Sequence, residues 1–208
     1  MSWTHERDGT AFWREVFGNA AAVEIEIGSG DGAFLFARAA RHPDRNYLGI
    51  ERSPSKARRL DARLAARGAA NVRMLQADAR CLVSSVIPAA SVAAYHVYFP
   101  DPWPKRAHAP RRIFTGGFVR ALAATLAPEG RLHFATDVAT YATVARAHVL
   151  GSGEFREIEM TEDHPGLTTS FARKYRDGGR TLVSFTFERR PGSSGDQLGG
   201  AASKIRSR

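Results

Sequence analysis

A glycine-rich turn between two apolar segments constrains the fold most. Val23–Ile27 alternates with period two and leads into Gly28-Ser-Gly-Asp-Gly32, which predicts a strand followed by a tight turn. Residues 33–41 are rich in Ala, Phe and Leu and stop at the His42-Pro43 pair, which predicts a helix. This order is typical of a parallel sheet whose glycine turn lets a ligand approach the backbone closely.

The alternation of strands and helices continues along the chain. Ser53-Pro54 supplies a cap and a first-turn proline for a helix that Gly68 ends. Further helices are predicted near residues 111–126 and 138–150, and further strands near 46–51, 72–76, 92–99, 131–136, 155–160 and 181–188. The last two strands have no convincing helix between them. The pattern predicts a Rossmann-like α/β fold with a seven-stranded, mostly parallel sheet, helices on both faces and an antiparallel C-terminal strand.

The length and composition predict one domain over residues 1–190, followed by a disordered basic tail over 191–208 that is rich in Gly, Ser and Ala. The chain carries 30 Lys and Arg against 21 Asp and Glu, a net charge of +9 that favours polyanionic partners. Cys81 is the only cysteine, which excludes an intrachain disulfide. Scattered histidines predict no metal site, and the lack of a long apolar run predicts no membrane span and a cytoplasmic protein.

Three acidic residues fall where strands are predicted to end. Glu26 directly precedes the glycines and suits the amine of a methionine moiety, while Glu51 suits a ribose hydroxyl pair. Asp78 suits an adenine amino group. The Gly-x-Gly-x-Gly spacing also differs from the Gly-x-Gly-x-x-Gly of dinucleotide-binding turns. Together these features favour S-adenosyl-L-methionine bound at Gly28 and Gly30, with a nicotinamide cofactor as the alternative.

The loop after the fourth predicted strand combines a rigid acid with a basic run. Pro100, Pro102 and Pro104 restrict the backbone, so Asp101 is expected to present its carboxylate in one direction. The basic run that follows suits phosphates; its members are Lys105, Arg106, His108, Arg111 and Arg112. The alternative is a stiff surface loop with solvated charges.

Several motifs occur in the order found in one enzyme family. The string Phe99-Pro-Asp-Pro-Trp-Pro-Lys105, followed by Arg111-Arg112-Ile113, resembles the signature of the bacterial tRNA (guanine-N7)-methyltransferases. Three other segments agree with that family in the same order: Glu26-Ile-Gly-x-Gly-x-Gly32, Leu48-Gly-Ile-Glu51 and Ala77-Asp-Ala79. Ala135-Thr-Asp137 agrees as well. The resemblance covers about residues 23–190 and implies the class I methyltransferase form of the Rossmann-like fold.

The resemblance also implies roles for individual residues. Glu26, Glu51, Asp78 and Asp101 are expected to contact S-adenosyl-L-methionine or its reacting end, with Asp101 as the catalytic residue. Lys105 and Asp137 are expected to contact the RNA, and residues 107–112 to lie along the tRNA. Thr169, Ser170 and Phe171 are expected to supply hydroxyls and a stacking face for the guanine. The implied target is guanosine 46 in the tRNA variable loop, with no obligatory protein partner.

One departure from the family pattern keeps alternatives open. Ala172 stands where the family usually has a glutamate that helps hold the guanine. A methyltransferase of the same fold with a shifted target nucleoside is therefore a second hypothesis. A non-catalytic RNA-binding relative is a third hypothesis, and the two differ in whether bound cofactor is turned over.

Overall fold

Seven strands form a single sheet in the computed structural model, which describes residues 8–159 and 165–192. The strand order is β3-β2-β1-β4-β5-β7-β6. The strands are β1 Val23–Ile27, β2 Asn46–Glu51, β3 Val72–Gln76, β4 Val92–Tyr98, β5 Leu126–Thr136, β6 Phe155–Ile158 and β7 Val183–Arg189. The helices are α1 Gly9–Phe17, α2 Ala33–Arg41, α3 Pro54–Arg67, α4 Ala79–Ser85, α5 Gly116–Thr125, α6 Ala139–Gly151 and α7 Ser170–Asp177.

The pairing of the strands sets the position of the functional edge. β1 pairs in parallel with β2 and β4, β2 with β3, and β4 with β5. Only β7 runs antiparallel, between β5 and β6. The chain moves outward from β1 to β3 and then returns to the other side of β1, so the order reverses between β1 and β4. Ligands of open α/β sheets bind beyond the strand ends at such a reversal. The predicted fold is confirmed.

The core lies on both faces of the central strands. Ile25, Tyr95 and Phe134 are completely buried, and every residue of β1 is buried. The turn into α2 requires a glycine for two reasons. Gly32 has a φ of +72°, and a Cβ there would lie 2.1 Å from Leu60 Cδ1. The sequence pattern that predicts strand, turn and helix is therefore tied to the packing of α2 against α3.

Two predicted element boundaries are wrong, and so is the expectation that no helix lies between the last two strands. The helix expected from residue 111 begins at Gly116, because residues 106–111 form a 3₁₀ turn and Thr115 caps α5 by accepting the N–H of Phe118. The strand expected from residue 131 begins at Leu126. A helix, α7, does lie between the last two strands. Four of its eight residues are charged, and the segment is too short for an apolar period to identify it as a helix. The predicted tail falls outside the described residues except for Pro191 and Gly192.

A buried ionic cluster supports β1 away from the glycine turn. Glu24 is 2% exposed, and its carboxylate contacts Arg45 Nη1 at 2.7 Å and His96 Nε2 at 2.8 Å, with Arg38 Nε at 3.6 Å. Burial raises the pKa of Glu24, but the His96 hydrogen bond and the charges of Arg38 and Arg45 outweigh it, so the pKa is well below its usual range. Glu24 is therefore ionised at neutral pH.

The histidine of this cluster is neutral. Burial lowers the pKa of His96. The neutral tautomer that suits both neighbours carries its proton on Nε2, donates to Glu24 and accepts the Tyr98 hydroxyl at Nδ1, 2.6 Å away. His96 also stacks on His133, with 5.0 Å between ring centroids. The cluster connects β1, β4 and β5.

The protein should lose stability in acid through this cluster. Glu24 stabilises the fold at pH values above its ordinary pKa of 4.5, and this stabilisation is lost as the pH falls below that value. His96 adds a loss below its ordinary pKa of 6.5, because only the unfolded chain accepts the proton readily. Urea unfolding at a series of pH values should show both effects. Glu24→Gln should lower the unfolding free energy at pH 7 by about 2 kcal/mol and flatten the acid limb.

Glu157→Gln is the matched control, because Glu157 pairs with Arg146 at the surface. That change should cost less than about 0.5 kcal/mol. Equal losses in the two variants would contradict the stabilising role of Glu24.

Candidate active site

A cleft of about 430 Å³ lies beyond the carboxyl ends of β1, β2 and β4. It brings together residues that are far apart in the sequence, and seven of them were predicted as site residues. The predicted members of its wall are Gly28, Gly30, Glu51, Asp78, Asp101, Arg111 and Phe171. The open sheet edge at the reversal of strand order is therefore the candidate site.

The glycine turn forms the floor of the cleft and holds Glu51. Gly28 and Gly30 have φ values of +83° and +56°, which favour glycine. The N–H of Gly30 donates to Glu51 Oε2 at 3.0 Å, and the N–H of Ser53 donates to Glu51 Oε1 at 2.8 Å. A carboxylate oxygen can accept two hydrogen bonds, so Glu51 is oriented by the backbone and retains acceptor sites for a ligand.

Glu26 lies next to this turn and differs from every other acid of the site. Its side chain is buried at 5% exposure, and its Oε2 atom has no hydrogen-bond partner among the described residues. Burial, together with the charges of Asp31 and Glu51, raises the pKa of Glu26 well above its ordinary value. A buried carboxylate without a partner is energetically unfavourable. A cationic ligand group at the turn would supply the missing partner.

Asp78 lies at the carboxyl end of β3 and caps α4. Its Oδ1 accepts the N–H of Arg80 at 2.8 Å, and the side chain is exposed to the cleft. The cap fixes the carboxylate relative to the sheet. Arg80, which the sequence analysis did not single out, also donates from Nη2 to the carbonyl oxygens of Arg111 and Arg112, both at 2.7 Å.

The loop that carries Asp101 is held in a strained conformation. Phe99 and Trp103 have φ values of +49° and +42°, and each precedes a proline. Such backbone conformations are rare for large side chains and persist only where the surroundings impose them. Arg112 supplies that constraint, since Nε donates to Pro102 O and Nη2 to Trp103 O, both at 3.0 Å. Asp101 is exposed on this loop and lines the cleft.

The predicted RNA contacts separate into two groups. Arg111 lies over the Trp103 ring at 4.9 Å, and His108 meets the same ring edge-on at 5.5 Å between centroids. Lys105 is exposed nearby. Arg112 donates inside the protein to the loop that carries Asp101, and its expected role as a phosphate ligand stays a prediction. Arg106 begins the 3₁₀ turn, and its side chain lies outside the described residues.

The predicted guanine contacts are not all at the cleft. Asp137 is 10% exposed and forms an ion pair with Arg180. The Thr169 hydroxyl is buried, donates to Gly166 O and caps α7 by accepting the N–H of Ala172. Phe171 is 46% exposed and lines the cleft. The side chain of Ser170 lies outside the described residues. The substrate roles of these residues stay predictions, and Thr169 has a structural use.

Similarity to known proteins agrees with this geometry. A family model described as "Putative methyltransferase" matches residues 20–184. A tRNA (guanine-N(7)-)-methyltransferase of Leifsonia xyli subsp. xyli is 37% identical over 185 residues, covering 85% of this chain and 79% of the relative. The chain belongs to the bacterial tRNA (guanine-N(7)-)-methyltransferase family.

Other members of the tRNA (guanine-N(7)-)-methyltransferase family are longer than this chain. The Thermotoga maritima relative is 33% identical over 170 residues, which cover 81% of this chain and 54% of the relative. The chain spans about half the length of this relative. The Alkalilimnicola ehrlichii relative is 45% identical over 126 residues, and the match covers 53% of its length.

Solved structures support the fold of this tRNA (guanine-N(7)-)-methyltransferase family member. The 16S rRNA methyltransferase KamB superposes with a TM-score of 0.62 at 19% identity, covering 87% of this chain and 94% of that one. A geranyl diphosphate C-methyltransferase from Streptomyces coelicolor, in a complex with S-adenosyl-L-homocysteine, superposes with a TM-score of 0.55 at 14% identity, covering 87% of this chain and 79% of that one. At these identities the likeness concerns the fold alone.

Residues 8–159 and 165–192 contain neither a candidate metal-binding cluster nor a candidate membrane-spanning helix. No group of three or more potential metal ligands occurs in this part of the chain. None of its helices combines the length and the hydropathy needed to cross a bilayer.

The clamp role of Arg112 should be measurable separately from Arg111. Arg112→Ala removes two hydrogen bonds from a charged donor to the Asp101 loop, each worth about 1.5–3 kcal/mol. Amide hydrogen exchange in a peptide spanning residues 99–112 should therefore accelerate more than about tenfold. Arg111→Ala is the matched control and should change exchange less than about threefold, since the guanidinium only covers Trp103. Equal exchange rates in the two variants would contradict the clamp role of Arg112.

Proposed function

We propose that the protein transfers a methyl group from S-adenosyl-L-methionine to N7 of a guanosine in tRNA. The observation that carries the proposal is the exposed Asp101 carboxylate, held by two prolines and Arg112, in the cleft that contains the glycine turn. Membership of the tRNA (guanine-N(7)-)-methyltransferase family supports the choice of reaction.

The residues around the glycine turn fit this cofactor. Glu26 would hold the amine of the methionine moiety, because its buried Oε2 lacks a partner. Glu51 would accept hydrogen bonds from the ribose hydroxyls, and Asp78 would accept one from the adenine amino group. A nicotinamide dinucleotide fits less well, since its pyrophosphate would lie at the turn, beside the Glu26 carboxylate. The charge of Glu26 therefore favours the sulfonium cofactor over the alternative.

The reaction requires positioning more than proton transfer. When bound, S-adenosyl-L-methionine supplies an electrophilic methyl group, and guanine N7 already has an available lone pair. Asp101 would accept hydrogen bonds from the guanine N1–H and N2 amino group, which orients the purine. Its negative charge would also stabilise the positive charge that develops on the ring. Arg112 and the flanking prolines act through Asp101, by holding the loop that carries it.

The proposed substrate is tRNA, and the proposed position is guanosine 46 of the variable loop, as the family resemblance implies. The net charge of +9 suits a polyanion. Arg111 and His108, gathered around Trp103 at the cleft, would meet the RNA near the target. The cytoplasmic location expected from the sequence stays a prediction.

Methyl transfer from labelled S-adenosyl-L-methionine to unmodified tRNA, followed by nucleoside analysis, tests the proposal. Label in 7-methylguanosine is the expected result, and loss of label in a tRNA with another nucleotide at position 46 would place the target. Label in a different nucleoside would support the shifted-target hypothesis. Ala172, which is buried and stands where the family usually has a glutamate, would then be the first residue to test. Bound tRNA without any label would support the RNA-binding relative.

Asp101→Ala should lower the methylation rate at saturating substrates by about a hundredfold or more, because it removes the charge that stabilises the forming cation. The affinity for tRNA should change less than about threefold, since one carboxylate contributes little to a phosphate-dominated interface. Asp101→Asn keeps one hydrogen-bond acceptor and should retain more activity than Asp101→Ala. Single-turnover assays and filter binding measure the two quantities. Full activity in Asp101→Ala would exclude the residue from the reaction.

Glu26→Gln should weaken S-adenosyl-L-methionine binding by about tenfold to a hundredfold, the effect of losing one charged hydrogen bond. Burial raises the pKa of Glu26, and the ammonium group binds its ionised form. Wild-type affinity should therefore rise as the pH increases above the ordinary glutamate pKa of 4.5, and this dependence should be absent in Glu26→Gln. Calorimetric titration at several pH values measures both. The same pH dependence in the two proteins would contradict the role of Glu26.

A further inference from the structure

A second groove, of about 310 Å³, lies beside the cleft between α3 and α7. Its wall carries four cations, Lys56, Arg59, Arg63 and Lys174, and one exposed aromatic ring, Phe171. None of the four cations belongs to the basic run predicted to bind RNA. We propose that this groove binds the phosphodiester backbone of the substrate RNA next to the target nucleotide. The proposal rests on the proposed function, because it takes the bound polyanion to be the methylated RNA.

The cations of α3 share one face of the helix. Lys56, Arg59 and Arg63 follow each other at intervals of three and four residues, so their side chains lie on the same side. The neighbouring face of α3 is the packed one, with Ala57 and Leu60 completely buried. The three cations therefore lie beside the packed face, where they line the groove together with Phe171 and Lys174 of α7.

The charges of the groove are mostly uncompensated. Arg63 has an ion-pair contact with Asp31, the one acidic residue on the groove wall, at 3.8 Å. No carboxylate of the described residues lies within ion-pair distance of Lys56, Arg59 or Lys174. Four positive charges and one negative charge leave a surplus of three positive charges. Facing cations in a concave surface repel each other, and a phosphate between them would relieve this repulsion.

The groove leads into the cleft. Gly30, Lys56 and Phe171 line both, and a Cβ on Gly30 would lie 3.9 Å from Phe171 Cε2. Phe171 is one of two large apolar side chains exposed among the described residues. An aromatic face beside uncompensated cations is the combination that binds single-stranded nucleic acid, in which bases stack and phosphates are neutralised. A strand whose guanine enters the cleft past Phe171 would leave its neighbouring phosphates in the groove.

The number of phosphates bound is measurable from the salt dependence of tRNA affinity. Each phosphate contact contributes about 0.7–0.9 to the slope of log K against log salt concentration. The variant Arg59→Ala/Lys174→Ala removes one cation from each wall of the groove and leaves Lys56, which also lines the cleft, in place. It should therefore reduce the slope by about 1.4–1.8 units. Its tRNA affinity near physiological salt should fall at least tenfold. Affinity for S-adenosyl-L-methionine should stay within twofold of the wild type, and so should the methylation rate at saturating tRNA.

The variant Arg58→Ala/Arg120→Ala is the matched control. It removes the same two charges from exposed positions of α3 and α5 outside the groove. Its slope should change by less than half as much as that of the groove variant. Equal slopes in the two variants would overturn the proposal, because the change would then result from the lower net charge and not from the groove. A loss of cofactor affinity in the groove variant would also overturn it and assign the groove to the cofactor carboxylate.

The proposed function and this inference fail in different ways. If wild-type protein binds tRNA but labels a nucleoside other than 7-methylguanosine, the proposed reaction is wrong, and a reduced slope in the groove variant still supports the groove. If wild-type protein produces 7-methylguanosine and the groove variant keeps the wild-type slope, only the inference is wrong. Wild-type protein that binds no RNA would overturn both.

Discussion

The burial of β1 is the constraint on which the rest of the molecule depends. Its two carboxylates, Glu24 and Glu26, are two residues apart and therefore lie on the same face of the sheet. Glu24 is compensated by two arginines and a neutral histidine. Glu26 retains a buried oxygen without a partner. One strand thus carries both a structural ion cluster and an incomplete site, and the difference arises because the cations of α2 and its following loop reach only the first carboxylate.

The second constraint is the rigidity of the Asp101 loop. Proline residues restrict its backbone, and Arg112 holds two of its carbonyl oxygens while Phe99 and Trp103 keep unfavourable dihedral angles. A carboxylate held in this way needs little reorganisation when charge develops nearby. Cations are available on two sides of the cleft, around Trp103 and along α3. The proposed RNA path therefore runs across the glycine turn and not along the basic loop alone.

Comparison of prediction and structure shows which signals were sufficient. Strong local signals, such as the Ser53-Pro54 cap, Gly68 and the alternation in β1, predicted their elements correctly. Helix α7 was missed because it is short and is stabilised by the Thr169 cap and by contacts of Phe171 and Tyr175 with Phe99, which is distant in the sequence. Arg112 was assigned only to phosphate because a basic run does not indicate which side chain turns inward. The spacing of Lys56, Arg59 and Arg63 was visible, but only the opposing wall of α7 makes it a groove.

The sequence by itself determined the order of most strands and helices along the chain, the glycine turn, the acids at strand ends and the family to which the chain belongs. These are local properties, set by side-chain period, backbone freedom and proline geometry. Tertiary structure alone decided which carboxylate is compensated, which arginine clamps the loop and where uncompensated cations face one another. Those outcomes depend on distances between residues remote in the sequence, since hydrogen bonds and charge interactions act over a few ångströms and are set by packing.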